Sequence, residues 1–155
     1  GGGQEYGIRS GTVNLAMNVS LVKAMEIAIQ NLNELNHRLS RYNKVIRESL
    51  SQYKGVYINS PENSAPHILN IAFPGVKGEV LVNAFSKLDI MVSTTSACSS
   101  KREKLNEVLL AMDIEDNRIE GSVRLSMGET TTEKDIEQFK DKLELIYAQI
   151  KELLK

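Results

Sequence analysis

The sequence is short of cysteine and histidine, and each scarcity closes off a class of protein. With one cysteine in 155 residues no intramolecular disulfide can form, so a cross-linked secreted scaffold is excluded and a reducing cytoplasm is the expected setting. His37 and His67 stand isolated from each other and from the cysteine, which leaves no ligand spacing for a metal site. No apolar run approaches the ~20 residues needed to cross a bilayer. The N-terminus also lacks the basic start and apolar stretch of a secretory signal, so neither membrane nor secretion is expected. A formal net charge of −1 gives no electrostatic reason to expect nucleic acid as a partner. Internal repeats and low-complexity segments are absent.

What is present is ordinary globular material, 41% hydrophobic and 25% charged, enough for one domain with a true core. The single cysteine, Cys98, lies in Ser93-Thr94-Thr95-Ser96-Ala97-Cys98-Ser99-Ser100, a run of small hydroxyl residues. A lone cysteine is most often a small buried hydrophobe. Here the apolar neighbours of a packing cysteine are missing, and a reactive thiol is the leading reading. Such a thiol needs exposure and something to stabilise its anion, such as a helix N-terminus, backbone amides or a cation. Lys101 and Arg102 follow closely, and Lys104 to Met112 reads as a helix.

Val13 to Lys54 contains neither glycine nor proline, and Leu21, Met25, Ala28, Leu32, Leu35, Leu39, Tyr42 and Ile46 recur at helical spacing. This predicts a long helix laying one stripe on a sheet, with a coiled-coil seam as the alternative. Gly55 ends it, and Val56 to Ile58 reads as a short strand. His67 to Phe73 is a strand with Leu69, Ile71 and Phe73 on one face, stopped by a Pro74-Gly75 turn. Glu79 to Leu88 is a helix carrying Val80, Leu81, Ala84, Phe85 and Leu88, and Ile90 to Ser93 a strand feeding the cysteine segment. Ser122 to Met127 is the next strand. Thr131 or Thr132 caps a final helix whose buried stripe is Ile136, Phe139, Leu143, Ile146 and Ile150. Strands and helices in this order predict an α+β two-layer domain, helices covering one face of a small sheet.

The opening Gly1-Gly2-Gly3-Gln4 lacks an initiator methionine and reads as the middle of a longer protein, a fragment or excised domain. Gly1-Gly2-Gly3-Gln4-Glu5-Tyr6-Gly7-Ile8-Arg9-Ser10-Gly11-Thr12, Ser96-Ala97-Cys98-Ser99-Ser100 and Ser122-Val123-Arg124-Leu125-Ser126 occur together in this order. The combination resembles the C-terminal part of a cysteine desulfurase of the NifS/IscS type. Those enzymes belong to the class V aminotransferase group and use pyridoxal 5'-phosphate in a fold-type I homodimer. The resemblance implies a small, mainly antiparallel C-terminal domain. Residues 1–12 would close the large cofactor domain, 13–54 form the linking helix, and 55–155 make the small domain with the cysteine loop.

By the same resemblance Cys98 is the catalytic nucleophile that takes sulfur from L-cysteine as a persulfide, leaving L-alanine for the medium and sulfur for an acceptor protein. Arg124 corresponds to the arginine that holds the substrate carboxylate, through two parallel hydrogen bonds. Thr12 corresponds to the threonine that contacts the cofactor phosphate of the opposite subunit; read from the residues alone, it is a helix cap. Arg9 could steady that segment. Tyr6 stands where these enzymes often carry arginine, and Thr95 where glycine usually precedes Ser-Ala-Cys. The lysine that carries the cofactor in the family has no counterpart here, so the chain alone is expected to be inactive. The alternatives are another class V enzyme, a selenocysteine lyase or aminotransferase, and a non-catalytic sulfur-carrier domain.

Overall fold

The computed structural model describes residues 2–94 and 106–154. Two compact units divide the chain, Gly1–Leu35 and Asn36–Lys155. In the first, a short 3-10 turn at Glu5–Gly7 precedes helix α1, Leu15–Leu50, whose later turns belong to the second unit. Then follow β1 (Tyr57–Ile58), β2 (Ile68–Ala72), α2 (Gly78–Ser86), α3 (Glu107–Ala111), α4 (Asp116–Glu120), β3 (Ser122–Ser126) and α5 (Glu133–Ile150).

The strands of the second unit form one antiparallel sheet in the order β1-β2-β3. Alternation along the strands gives it two unlike faces. Leu69, Ile71, Val123 and Leu125 are buried on one, whereas Asn70 and Arg124 share the other. The apolar face is covered by Leu39, Tyr42, Ile46 and Leu50 of α1, by Leu81 and Phe85 of α2, and by Ile136, Phe139, Leu143, Ile146 and Ile150 of α5. Each such side chain removed from water contributes about 1.5–3 kcal/mol. This is the two-layer α+β architecture that the order of elements predicts.

Local chemistry explains the ends of these elements. Pro74 and Gly75 occupy the middle of a tight turn closed by the Val76 N–H on the Phe73 carbonyl at 3.0 Å, and Gly75 takes the positive φ of 93° that such a turn requires. Thr132 begins α5 with a reciprocal capping box to Asp135. Arg47 donates to the Ser60 and Pro61 carbonyls at 3.0 and 2.8 Å, tying the β1–β2 loop to α1.

The structure corrects four expectations. Residues 90–93 form no strand: Asp89 adopts a left-handed φ of 56°, and the Ile90 N–H turns back to the Phe85 carbonyl at 3.0 Å, closing α2. Only a bridge at Ser93 reaches the sheet. α3 begins at Glu107, where the Asn106 side chain caps it, and α4 is a helix that the sequence reading missed. α1 starts at Leu15 and ends at Leu50, short of Lys54. Its predicted stripe is buried only from Leu39 onward; Leu21, Met25 and Leu32 are 60%, 53% and 55% exposed.

Candidate functional site

Arg124 lies at the middle of β3, on the polar face of the sheet and exposed. Its N–H donates to the Ser93 carbonyl at 2.8 Å and its carbonyl accepts from the Ser93 N–H at 3.1 Å. Ser93 is thereby fixed beside the arginine immediately before the segment that carries the cysteine. Cys98 itself lies outside the described residues, as do Thr95, Lys101 and Arg102. Among the described residues the Arg124 guanidinium enters no ion pair; the pairs present are Lys23–Glu26, Arg41–Glu133 and Lys44–Glu48. A guanidinium that pairs with no carboxylate among the described residues suits an incoming anion.

Beside Arg124 runs a polar network that the sequence reading did not single out. Arg118 donates to Asn59 Oδ1 at 2.6 Å while its guanidinium stacks 4.8 Å from the Tyr57 ring centre. Asn59 Nδ2 donates to Asn70 Oδ1 at 2.7 Å and to Ser122 Oγ at 2.9 Å, and Ser122 Oγ donates to the Arg118 carbonyl at 2.7 Å. Asn59 and Ser122 are buried, and these bonds supply the partners that burial demands. The one signal available beforehand was Asn70 itself, an amide interrupting Ile68-Leu69-Asn70-Ile71-Ala72.

Thr12 belongs to the first unit, in a segment exposed from Gly2 to Asn14. It is not the helix cap: the Met17 N–H is accepted by Asn14 Oδ1 at 3.1 Å, so Asn14 caps α1. Arg9 does steady the segment, donating to the Gly11 and Thr12 carbonyls at 3.3 and 3.2 Å. The Thr12 hydroxyl is exposed beside this guanidinium, two donor groups of the kind that bind a phosphate. His37 and His67 are both exposed. Among the described residues no cluster of side chains is arranged to bind a metal, and no helix is long and apolar enough to cross a membrane.

A cleft of about 250 Å3 opens on the helical side of the sheet, lined by Leu125, Met127, Ile136 and Phe139 with Asp89 and Lys142 at its polar parts. Neither Arg124 nor Ser93 lines it, and it is not the site assembled here.

The aminotransferase class-V family model matches residues 2–139 of the chain. The chain belongs to the class-V aminotransferase family. Among the relatives of this class-V chain, a Lactobacillus delbrueckii subsp. bulgaricus protein named NifS/IcsS protein homolog is 38% identical over 149 residues, covering 95% of this chain and 39% of that protein. A Clostridium botulinum cysteine desulfurase IscS is 36% identical over 157 residues, covering 99% of this chain and 40% of that protein. A solved NifS-like protein superposes with a TM-score of 0.78 at 32% identity over 96% of this chain and 38% of the other. The class-V chain thus spans about two fifths of the length of the relatives it matches. Its small antiparallel sheet under helices is the architecture of those NifS-like neighbours.

Proposed function

We propose that the full-length protein is a pyridoxal-phosphate-dependent cysteine desulfurase, working as a homodimer in the cytoplasm and passing sulfur to an acceptor protein of iron-sulfur assembly or thiolation. Residues 1–12 then end the large cofactor domain, 13–54 link the two domains, and 55–155 form the small one. The observation that carries the reading is the Ser93–Arg124 bridge: it sets a guanidinium, free of ion pairs among the described residues, at the root of the segment holding the chain's one thiol. Cys98 follows Ser93 by five residues, a stretch that spans at most about 17 Å when fully extended.

In this reading Arg124 grips the carboxylate of L-cysteine and orients its sulfur toward Cys98. The Cys98 thiolate attacks that sulfur; an S–S bond forms, the carbon–sulfur bond breaks, and the electron pair stays with the substrate carbon, which takes up a proton to become L-alanine. Sulfur leaves as a persulfide on Cys98. Pyridoxal phosphate would supply the electron sink for this chemistry, and Thr12 would hold its phosphate.

The test is alanine and sulfide release from L-cysteine by the full-length enzyme with a dithiol present, which reduces the Cys98 persulfide to thiol and sulfide and is itself oxidised to a disulfide. Cys98→Ala is expected to abolish both, and Arg124→Gln to raise KM by roughly 10- to 100-fold, the loss of charge-assisted bonds to a carboxylate. Sulfide release that survives Cys98→Ala would defeat the reading. The chain of 155 residues mixed with pyridoxal phosphate and cysteine is expected to give no catalytic alanine.

A further inference from the structure

Asn70 stands directly across the sheet from Arg124. Arg124 uses its backbone N–H and carbonyl on Ser93, whereas Asn70 turns its own to the other side, accepting from the Asn59 N–H at 2.9 Å and donating to Ser60 Oγ at 2.8 Å. The two therefore form the non-hydrogen-bonded kind of antiparallel pair, with Cα atoms ~4.5 Å apart and side chains at their closest.

The direction of the Asn70 amide is set from a distance. A guanidinium can only donate, so the atom of Asn59 that meets Arg118 at 2.6 Å is its oxygen. The Asn59 nitrogen is then the atom that reaches Asn70, and the atom it reaches at 2.7 Å has to be the Asn70 oxygen. Ser122 Oγ, accepting from the same nitrogen at 2.9 Å, holds Asn59 in that orientation. What remains of the Asn70 amide is its NH2 group. Among the described residues that group has no acceptor, and the guanidinium beside it has none either.

We propose that Asn70 Nδ2 is a second donor to the substrate carboxylate held by Arg124, and that Arg118 and Asn59 are positioning residues which keep Asn70 turned donor-outward. The proposal rests on the reading of Arg124 as the carboxylate-binding residue and deepens it. An exposed arginine alone grips a carboxylate but leaves its swing free; a rigid amide at the neighbouring register position fixes the plane in which the carboxylate lies. The ligand class is an α-amino acid with a free carboxylate.

The test uses the full-length holoenzyme and measures, by calorimetry, the affinity for L-alanine and for ethylamine, which is alanine without its carboxylate, together with KM and kcat for L-cysteine. Asn70→Asp replaces a donor by a repelling charge. It is expected to weaken L-alanine binding and raise KM by roughly tenfold or more, with ethylamine affinity held within about twofold and kcat changed less than KM. Asn59→Asp still accepts from Arg118 but can no longer donate to Asn70, and it is expected to weaken L-alanine several-fold without touching the substrate. Should Asn70→Asp fail to fold, Asn70→Ala removes the donors without adding charge and is expected to show a smaller loss of the same pattern. Unchanged alanine affinity in the Asn70 variants beside a large loss in Arg124→Gln would rule Asn70 out and leave the arginine assignment standing. Equal losses for alanine and ethylamine would also overturn the proposal. If Arg124→Gln binds alanine as well as wild type does, the arginine reading and this proposal fall together.

Discussion

Ser93 and Arg124 exchange both backbone hydrogen bonds, at 3.1 and 2.8 Å, adding one bridged position beside the outer strand of the sheet. The pairing leaves the arginine side chain on the polar face and brings the start of the cysteine segment to the same strand. Ser93→Pro deletes the donor to the Arg124 carbonyl while leaving the strand intact. It is expected to cost about 1 kcal/mol in stability, the net worth of one hydrogen bond, and to lower cysteine turnover in the full-length enzyme by more than that loss explains. Ser93→Ala keeps the N–H and should behave as wild type. Urea unfolding paired with alanine release decides the matter, and full turnover in Ser93→Pro would show that the bridge does not position the segment.

Phe85 joins the helices to each other and to the sheet. Its ring stacks on Phe139 of α5 at 6.2 Å between centroids, nearly parallel, and meets Phe73 edge-on at 6.3 Å. With no exposed surface, it leaves a void when truncated, so Phe85→Ala is expected to destabilise the chain by about 3–5 kcal/mol. Val80→Ala in the same helix supplies the contrast. Val80 is 48% exposed, and its truncation should move the unfolding midpoint by far less.

The sequence made α5 legible because everything that specifies it is local. A capping threonine, acidic residues in the first turn and a stripe at Ile136, Phe139, Leu143, Ile146 and Ile150 all sit within one helix, and all five stripe residues are buried. The Pro74-Gly75 turn is local in the same sense. α1 was only half legible: periodicity identifies an apolar face but not which of its turns find cover, and within this chain Leu39, Tyr42 and Ile46 do while Leu21, Met25 and Leu32 do not. The missing strand at 90–93 has a similar cause, since the Ile90 N–H was taken by the Phe85 carbonyl before the sheet could use it. In the site, Arg124 was found through its family resemblance. Asn70 was not, because its meaning comes from register with a strand far away in sequence, and from amide orientation handed on by Arg118.

Gly121 illustrates a constraint that composition conceals. Its φ is −89°, a value any residue adopts, so conformational freedom is not what the position needs. Space is: a Cβ there would meet the Phe73 carbonyl oxygen and carbon and come within 3.1 Å of the Val76 carbonyl oxygen. All three atoms are backbone and cannot swing aside. The Gly121 carbonyl also accepts from the Phe73 N–H at 2.9 Å, which continues the β2–β3 pairing past Ala72. Gly121→Ala is therefore expected to cost about 1–3 kcal/mol by forcing the strands apart, measured by urea unfolding. A substitution within 0.5 kcal/mol of wild type, roughly the scatter of surface changes, would show that the two segments can separate freely.

Asp135 gives α5 a pH-dependent start. Its carboxylate accepts from the Thr132 Oγ1–H at 2.7 Å and from the Thr132 N–H at 2.8 Å, and the Thr132 Oγ1 accepts in turn from the Asp135 N–H at 3.3 Å. The side-chain bond from Thr132 is the largest cause holding the Asp135 carboxyl below its ordinary 3.8, followed by the backbone bond from the same residue. A carboxyl with a lowered folded-state pKa contributes stability that is fully present above its unfolded value and is lost as pH falls through the folded one. The melting-temperature gap between wild type and Asp135→Asn should therefore stay constant from neutral pH down to about 4, then close on further acidification. Thr132→Ala removes the cap as well as the larger cause of the shift, leaving the backbone bond. It is expected to lose about 1 kcal/mol at neutral pH, and its own gap to Thr132→Ala/Asp135→Asn should close nearer the ordinary carboxyl range. A gap between wild type and Asp135→Asn that persists at about pH 2 would mean that shape, and not charge, is what Asp135 brings to the capping box.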